Sequence, residues 1–101
     1  MSARWQPLRL DHARESESRS GDMKFALYTD AVLTCDVPEH RLKRGDIVKL
    51  IDHHVARDGS EGYSIEVFNA LGNTIAVTAV PETSLESLRE DEVLSARVLA
   101  A

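Results

Sequence analysis

Several things are scarce in this chain, and each scarcity removes a class of function. There is one cysteine, Cys35, so an intrachain disulfide framework is excluded, and the chain fits a reducing compartment, the cytoplasm. No apolar run approaches the roughly 18 residues of a membrane span. The first residues lack the apolar core of roughly 7–15 residues that a secretory leader carries. Positive charge is in deficit: 12 Lys and Arg stand against 17 Asp and Glu, for a net charge of −5. A sequence-independent nucleic-acid binder needs a basic footprint to release counterions from phosphates, so this balance counts against nucleic acid and against an anionic membrane surface. Aromatic residues make up 5% of the chain, leaving only Tyr28 and Tyr63 as bases for stacking where a single-strand binder uses several. A Gly-rich phosphate loop, a nucleophile elbow and a Cys-x-x-Cys pair are all missing from the sequence, and with them the commonest sequence marks of an enzyme. The chain reads as non-catalytic, with no cofactor.

What is present is a compact set of strand patterns. At 101 residues, 43% of them hydrophobic, the chain has the length of one domain and enough apolar material for one modest core. The strongest pattern lies at residues 62–81, GYSIEVFNALGNTIAVTAVP. Tyr63, Ile65 and Val67 alternate with Ser64, Glu66 and Phe68, as side chains do on a pleated strand. Asn69 to Asn73 supplies turn chemistry, and Thr74 to Val80 supplies a second strand that Pro81 ends. The expected pairing sets Tyr63, Ile65 and Val67 against Ile75 and Val77 in a shared core. A lone hairpin is marginal in water, so further strands are required. Residues 31–34 and 47–54 provide two. Between them an irregular stretch contains Pro38 and ends in a sharp turn, with Gly45 at positive φ and the Asp46 side chain bonded to the backbone beyond it. After Pro81, Thr83 and Glu86 have capping-box spacing, which predicts one helical turn with Leu85 and Leu88 inward. Residues 93–100 alternate again and predict the last strand, with a terminal helix as competitor. The expected fold is mainly β: a small SH3-like, partly open antiparallel barrel of about five strands with a short helical turn before the last.

Residues 1–22 differ in character. Four arginines balance four carboxylates there, so the net negative charge belongs to residues 23–101. This segment reads as a disordered or loosely attached arm, or as an upstream extension, since Met23-Lys24-Phe25 has the look of a protein start. Trp5, Leu8 and Leu10 would be its means of docking on a partner.

Four groups of polar residues are candidates for function. Arg41, Lys43 and Arg44 form the basic cluster, suited to RNA or an acidic protein and otherwise a solvated loop. His53 and His54 could ligate a metal, but strand neighbours point to opposite faces and zinc needs three or four converging ligands; structural histidines are the plainer reading. Cys35 and His40 could form a thiol–imidazole pair, yet lack a third group to orient them. Glu66 sits inside a strand beside Phe68, placed to form a salt bridge to a neighbouring strand or to lie at an interface.

The segments LYTDAVLTCDVPEHRLKRGDIVKLIDHH and EGYSIEVFNALGNTIAVTAVPE resemble the bacterial family catalogued as domain of unknown function 4926. The similarity runs from about Met23 to Leu99 and is most specific from Gly62 to Val77; Val48 departs from it, standing where members commonly carry glycine. The resemblance implies an SH3-like barrel without known catalytic residues, and a gene beside that of another small protein, hence a paired, antitoxin-like system. Three functions are therefore expected in order: a protein–protein interaction module, an RNA or ribonucleoprotein binder through Arg41, Lys43 and Arg44, and a metal or small-ligand site at His53 and His54. A homo-oligomer is compatible with all three.

Overall fold

A computed structural model describes Trp5 and residues 23–99. The arm expected over residues 1–22 lies outside the described residues, Trp5 excepted. Five antiparallel strands form one sheet: β1 (Asp30–Leu33), β2 (Ile47–Val55), β3 (Glu61–Phe68), β4 (Thr74–Pro81) and β5 (Leu85–Ser87). Their order is β4-β3-β2-β1-β5. Chain neighbours β1 to β4 pair as hairpins, and β5 returns to the free side of β1. With a long β1–β2 loop and a 3₁₀ turn at Glu82–Ser84 before the last strand, this is a small SH3-like, partly open antiparallel barrel.

The core is built from the inward face of each strand: Ala31 and Leu33, Val48 and Leu50, Tyr63, Ile65 and Val67, Ala76 and Val80, and Leu85. Val48, the departure from glycine, is fully buried opposite Ala31. Val37 and Leu42 of the β1–β2 loop close one end. They exchange two backbone hydrogen bonds of 2.9 and 3.1 Å around a 3₁₀ turn at Pro38–His40. Phe25 adds an edge-on ring against Tyr63, 5.6 Å between centroids. The Tyr63 hydroxyl accepts from the Phe25 N–H at 2.9 Å and donates to the Phe25 carbonyl at 3.3 Å. The segment before β1 is thereby tied to the middle of the sheet.

Two bulges set which residues face inward. In β2 the register skips Ile51, since Leu50 opposes Ile65 while Asp52 opposes Ser64. Without that extra residue the alternation of Val48 and Leu50 would carry Asp52 into the core, where an unpaired carboxylate is costly. With it, Asp52 is exposed and His53 turns inward. In β4 the register skips Ile75, with Val67 opposite Ala76 and Phe68 opposite Thr74. This corrects the expected core of the hairpin: Tyr63, Ile65 and Val67 are buried, but their partners are Val80, Thr78 and Ala76. Ile75 and Val77 are 39% and 54% exposed. A one-residue change of phase sends a whole set of side chains to the other face; the turn before β4 is closed by Asn69. Asn69 Oδ1 accepts from the N–H groups of Leu71 and Asn73, and Gly72 takes φ 88°.

The C-terminal expectation is also corrected. The last strand is Leu85–Ser87, directly after the 3₁₀ turn, and residues 88–99 have no regular secondary structure. β5 already occupies the free side of β1, so the later alternation finds no ladder there. Thr83 and Glu86 do not form a capping box, because the turn begins after Pro81 and lasts three residues. Leu85 is buried as expected, whereas Leu88 is exposed.

Candidate functional site

The polar residues singled out in the sequence spread along the barrel instead of converging. Arg41, Lys43 and Arg44 precede β2, and His53 and His54 lie near its far end; the six residue steps from Ile47 to His53 span about 20 Å. Glu66 lies between, opposite Lys49.

The basic cluster is bound up with structure. Arg41 takes a left-handed φ of 59° and caps the 3₁₀ turn through its N–H to the Pro38 carbonyl. The Lys43 N–H donates to Asp46 Oδ2 at 2.8 Å, so this carboxylate closes the turn on the backbone before it and not beyond it as expected; the Arg44 N–H donates to Asp36 Oδ1 at 2.9 Å. Gly45 takes φ 95°, as its position in the turn requires. Arg41, Lys43 and Arg44 are exposed, on a loop that also carries Asp36, Glu39 and Asp46.

Asp46 is the hinge of this corner, for a reason the sequence did not show. Arg97 forks onto it, Nε to Oδ1 at 2.8 Å and Nη2 to Oδ2 at 2.6 Å, while Nη2 also donates to the Arg41 carbonyl at 3.0 Å. Partial burial works against ionisation of Asp46. The Arg97 fork and the Lys43 N–H outweigh it, so the carboxyl titrates below the ordinary aspartate value. The pair joins two residues 51 apart in sequence, and only tertiary structure brings them together.

The two histidines face opposite ways, as strand neighbours must. His53 is buried, its Nε2 lies 2.9 Å from Glu61 Oε1, and its ring is 5.1 Å from that of Tyr63. His54 is on the outer face, with Nε2 2.6 Å from Ser64 Oγ and 3.9 Å from Asp52 Oδ2. Among the described residues no three His, Cys, Asp or Glu side chains are grouped to hold a metal ion. Cys35 is exposed and lies 3.4 Å from Ser84 Oγ. Trp5 lies on this end of the barrel. Its indole N–H donates to Ser60 Oγ at 3.1 Å, and its ring packs on Gly62, where an added Cβ would stand 2.6 Å from Trp5 Cη2.

Glu66 accepts from the Thr74 hydroxyl at 2.5 Å, so its link to the neighbouring strand is a hydrogen bond; among the described residues no salt bridge to it is formed. Beside it on the outer face are Phe68, 41% exposed, and Val77. Among the described residues β4 is paired on one side only. Its sequence, TIAVTAVP, carries no charge, and its proline is the last residue.

The family model described as a domain of unknown function (DUF4926) matches residues 27–87, more than half of the chain. The chain belongs to this family. The DUF4926 segment contains Arg41, Lys43, Arg44, His53, His54 and Glu66, all five strands and the β4 edge; Trp5 and Arg97 lie outside it. No curated protein and no solved structure matches the chain. No described helix is long and apolar enough to cross a membrane.

Beyond the candidates read from sequence lies a cavity of about 500 Å³. Val32, Leu42, Ile47, Val67, Phe68 and Ile75 of the barrel form one wall, and the segment from Leu88 to Leu99 forms the other. The only sequence sign of it is the surplus of apolar residues in a segment that the sheet does not absorb.

Proposed function

We propose that this DUF4926 protein is a non-catalytic protein–protein interaction module of the cytoplasm, the binding or neutralising member of a two-protein system. The observation that carries the reading is the β4 edge. Natural edge strands are blunted by lysine, by internal proline or by a cover, because bare N–H and C=O groups template pairing with another chain. β4 has no charge and no internal proline, and exposes Ile75 and Val77. Such an edge suits strand addition, in which a partner's extended segment supplies the missing ladder and side-chain contacts supply selectivity.

Tagged wild-type protein and a Val77→Lys variant, used side by side in affinity capture from the native cell, test this. The expected outcome is one reproducible protein partner held by the wild type and reduced at least tenfold by the variant, whose melting temperature stays within about 2 °C because the site is exposed. Absence of a reproducible partner, or one held equally by both chains, refutes it. RNA binding draws less support, since Arg41, Lys43 and Arg44 share their loop with Asp36, Glu39 and Asp46 on a chain of net charge −5.

A further inference from the structure

The segment from Leu88 to Leu99 is held in place in an unusual way. It leaves β5, turns at Arg89–Glu92, where the Arg89 N–H donates to Glu92 Oε1 at 2.6 Å, and then runs without secondary structure. Among the described residues, 93–99 make no backbone–backbone hydrogen bond. Packing holds them weakly too: Val93 is 90% exposed and Val98 86%. What fastens the segment is Arg97, forked onto Asp46 and bonded to the Arg41 carbonyl. Between this strap and the barrel is the apolar cavity described above, large enough for several side chains.

A strap that crosses an apolar groove and is fixed by one arginine fork has the chemistry of a ligand. It has no regular secondary structure, it is apolar at Val93, Leu94, Ala96, Val98 and Leu99, and it presents one guanidinium to one carboxylate. A planar guanidinium satisfies a carboxylate through two parallel hydrogen bonds, so the fork supplies register as well as attraction. We propose that the strap is an internal placeholder, and that the groove between the β1–β2 loop and the β3–β4 hairpin receives an extended apolar segment of a partner protein whose arginine replaces Arg97 on Asp46. Charge complementarity favours such a partner at one point, because Asp46 lines the groove and offers its carboxylate to a guanidinium. The groove is also continuous with the exposed end of β4, since Ile75 belongs to both. The inference rests on the reading of this chain as an interaction module and names the chemistry of what it binds.

The test uses the full chain, ¹⁵N-labelled, as wild type and as Arg97→Ala. Arg97→Gln, which keeps much of the stem, repeats the measurement should the alanine variant fold poorly. The probe is the synthetic peptide EVLSARVL, the sequence of residues 92–99, beside a control peptide with alanine in place of its arginine. In the variant the strap is released, so the peptide is expected to shift the amides of Val32, Ile47, Phe68 and Ile75 saturably, at least tenfold more tightly than in the wild type. The control peptide is expected to bind at least tenfold more weakly than the probe. Equal affinity in the two chains, shifts confined to other residues, or no saturable binding to either released variant overturns the proposal. So does concentration-dependent dimerisation of the released variants in sedimentation, which would make a second copy the occupant. Val77 does not line the groove. Failure of the peptide with capture still sensitive to Val77→Lys therefore removes the placeholder alone, while the reverse pair of results removes the edge reading.

Discussion

Replacing Tyr63 by phenylalanine should weaken the fold by about 2 kcal/mol while leaving its shape unchanged. The ring is fully buried, and its hydroxyl makes both an accepted and a donated hydrogen bond with the backbone of Phe25. Phenylalanine keeps the ring contacts to Phe25 and His53 and removes only the hydroxyl. The Phe25 N–H is then left in a buried site without its partner, a loss of roughly 1–3 kcal/mol. For a domain of this size each kcal/mol is worth about 4–8 °C in Tm, so the expected drop is about 8–16 °C. Thermal and urea unfolding followed by circular dichroism measure it, with the urea slope unchanged because the surface exposed on unfolding is the same. The pH dependence gives an independent arm. Burial raises the Tyr63 pKa, outweighing the hydrogen bond from the Phe25 backbone, which lowers it. A raised folded-state pKa means that this contribution is fully present below the unfolded value near 10 and is lost as pH rises through the folded value. The gap between wild type and variant should therefore hold from neutral pH to about 10 and narrow above it. A fall in Tm of under about 2 °C, or a gap that stays constant into strong alkali, would show that the hydroxyl does not anchor the segment before β1.

Two further outcomes follow from the same geometry. Gly62→Ala should shift the emission of the sole tryptophan to the red, because the new methyl meets both the Trp5 ring and the Val80 carbonyl, and it should cost about 1–3 kcal/mol through overpacking; an unchanged emission maximum would place the indole elsewhere. Carbon-13 titration of the Asp46 carboxyl should give a midpoint below 3.8 in the wild type and a higher one in Arg97→Gln. Since the folded-state value is depressed, any stability the fork adds is present above pH 3.8 and fades as acid protonates Asp46, so equal midpoints in the two chains would deny the fork in solution.

Much of the scaffold was legible in sequence because period and punctuation agreed there. Tyr63, Ile65 and Val67 alternate without interruption and are buried; Gly45, Asp46, Asn69 and Gly72 name their turns. What escaped was phase. Nothing in IVKLIDHH marks Ile51 as the residue the ladder skips, and nothing in NTIAV tells that Ile75 falls outside it. A bulge is chosen by what the rest of the sheet must keep out of the core, such as Asp52, and that is a tertiary constraint. The candidate surface was legible in part only. Arg41, Lys43 and Arg44 lie on the loop as expected, but their role there is set by Asp46 and by Arg97, far along the chain. Glu66 was placed correctly beside Phe68 because both follow from a pleat whose phase was right.

The misreading of the last strand carries information of its own. Alternation states that a segment is fit to pair, and pairing also needs a free ladder. Leu85–Ser87 reaches β1 first because it follows a three-residue turn, so closing the loop to β1 costs little chain entropy. Residues 93–99 keep their strand character with no strand beside them, while β4 keeps an uncharged edge with no partner. A small chain that had only to fold would gain by joining the two or by charging both. Here the segment is fastened by its fork onto Asp46 instead. Unmet pairing capacity at two sites is what the proposed interaction module would use to complete itself on another protein, at residues that contribute least to the fold.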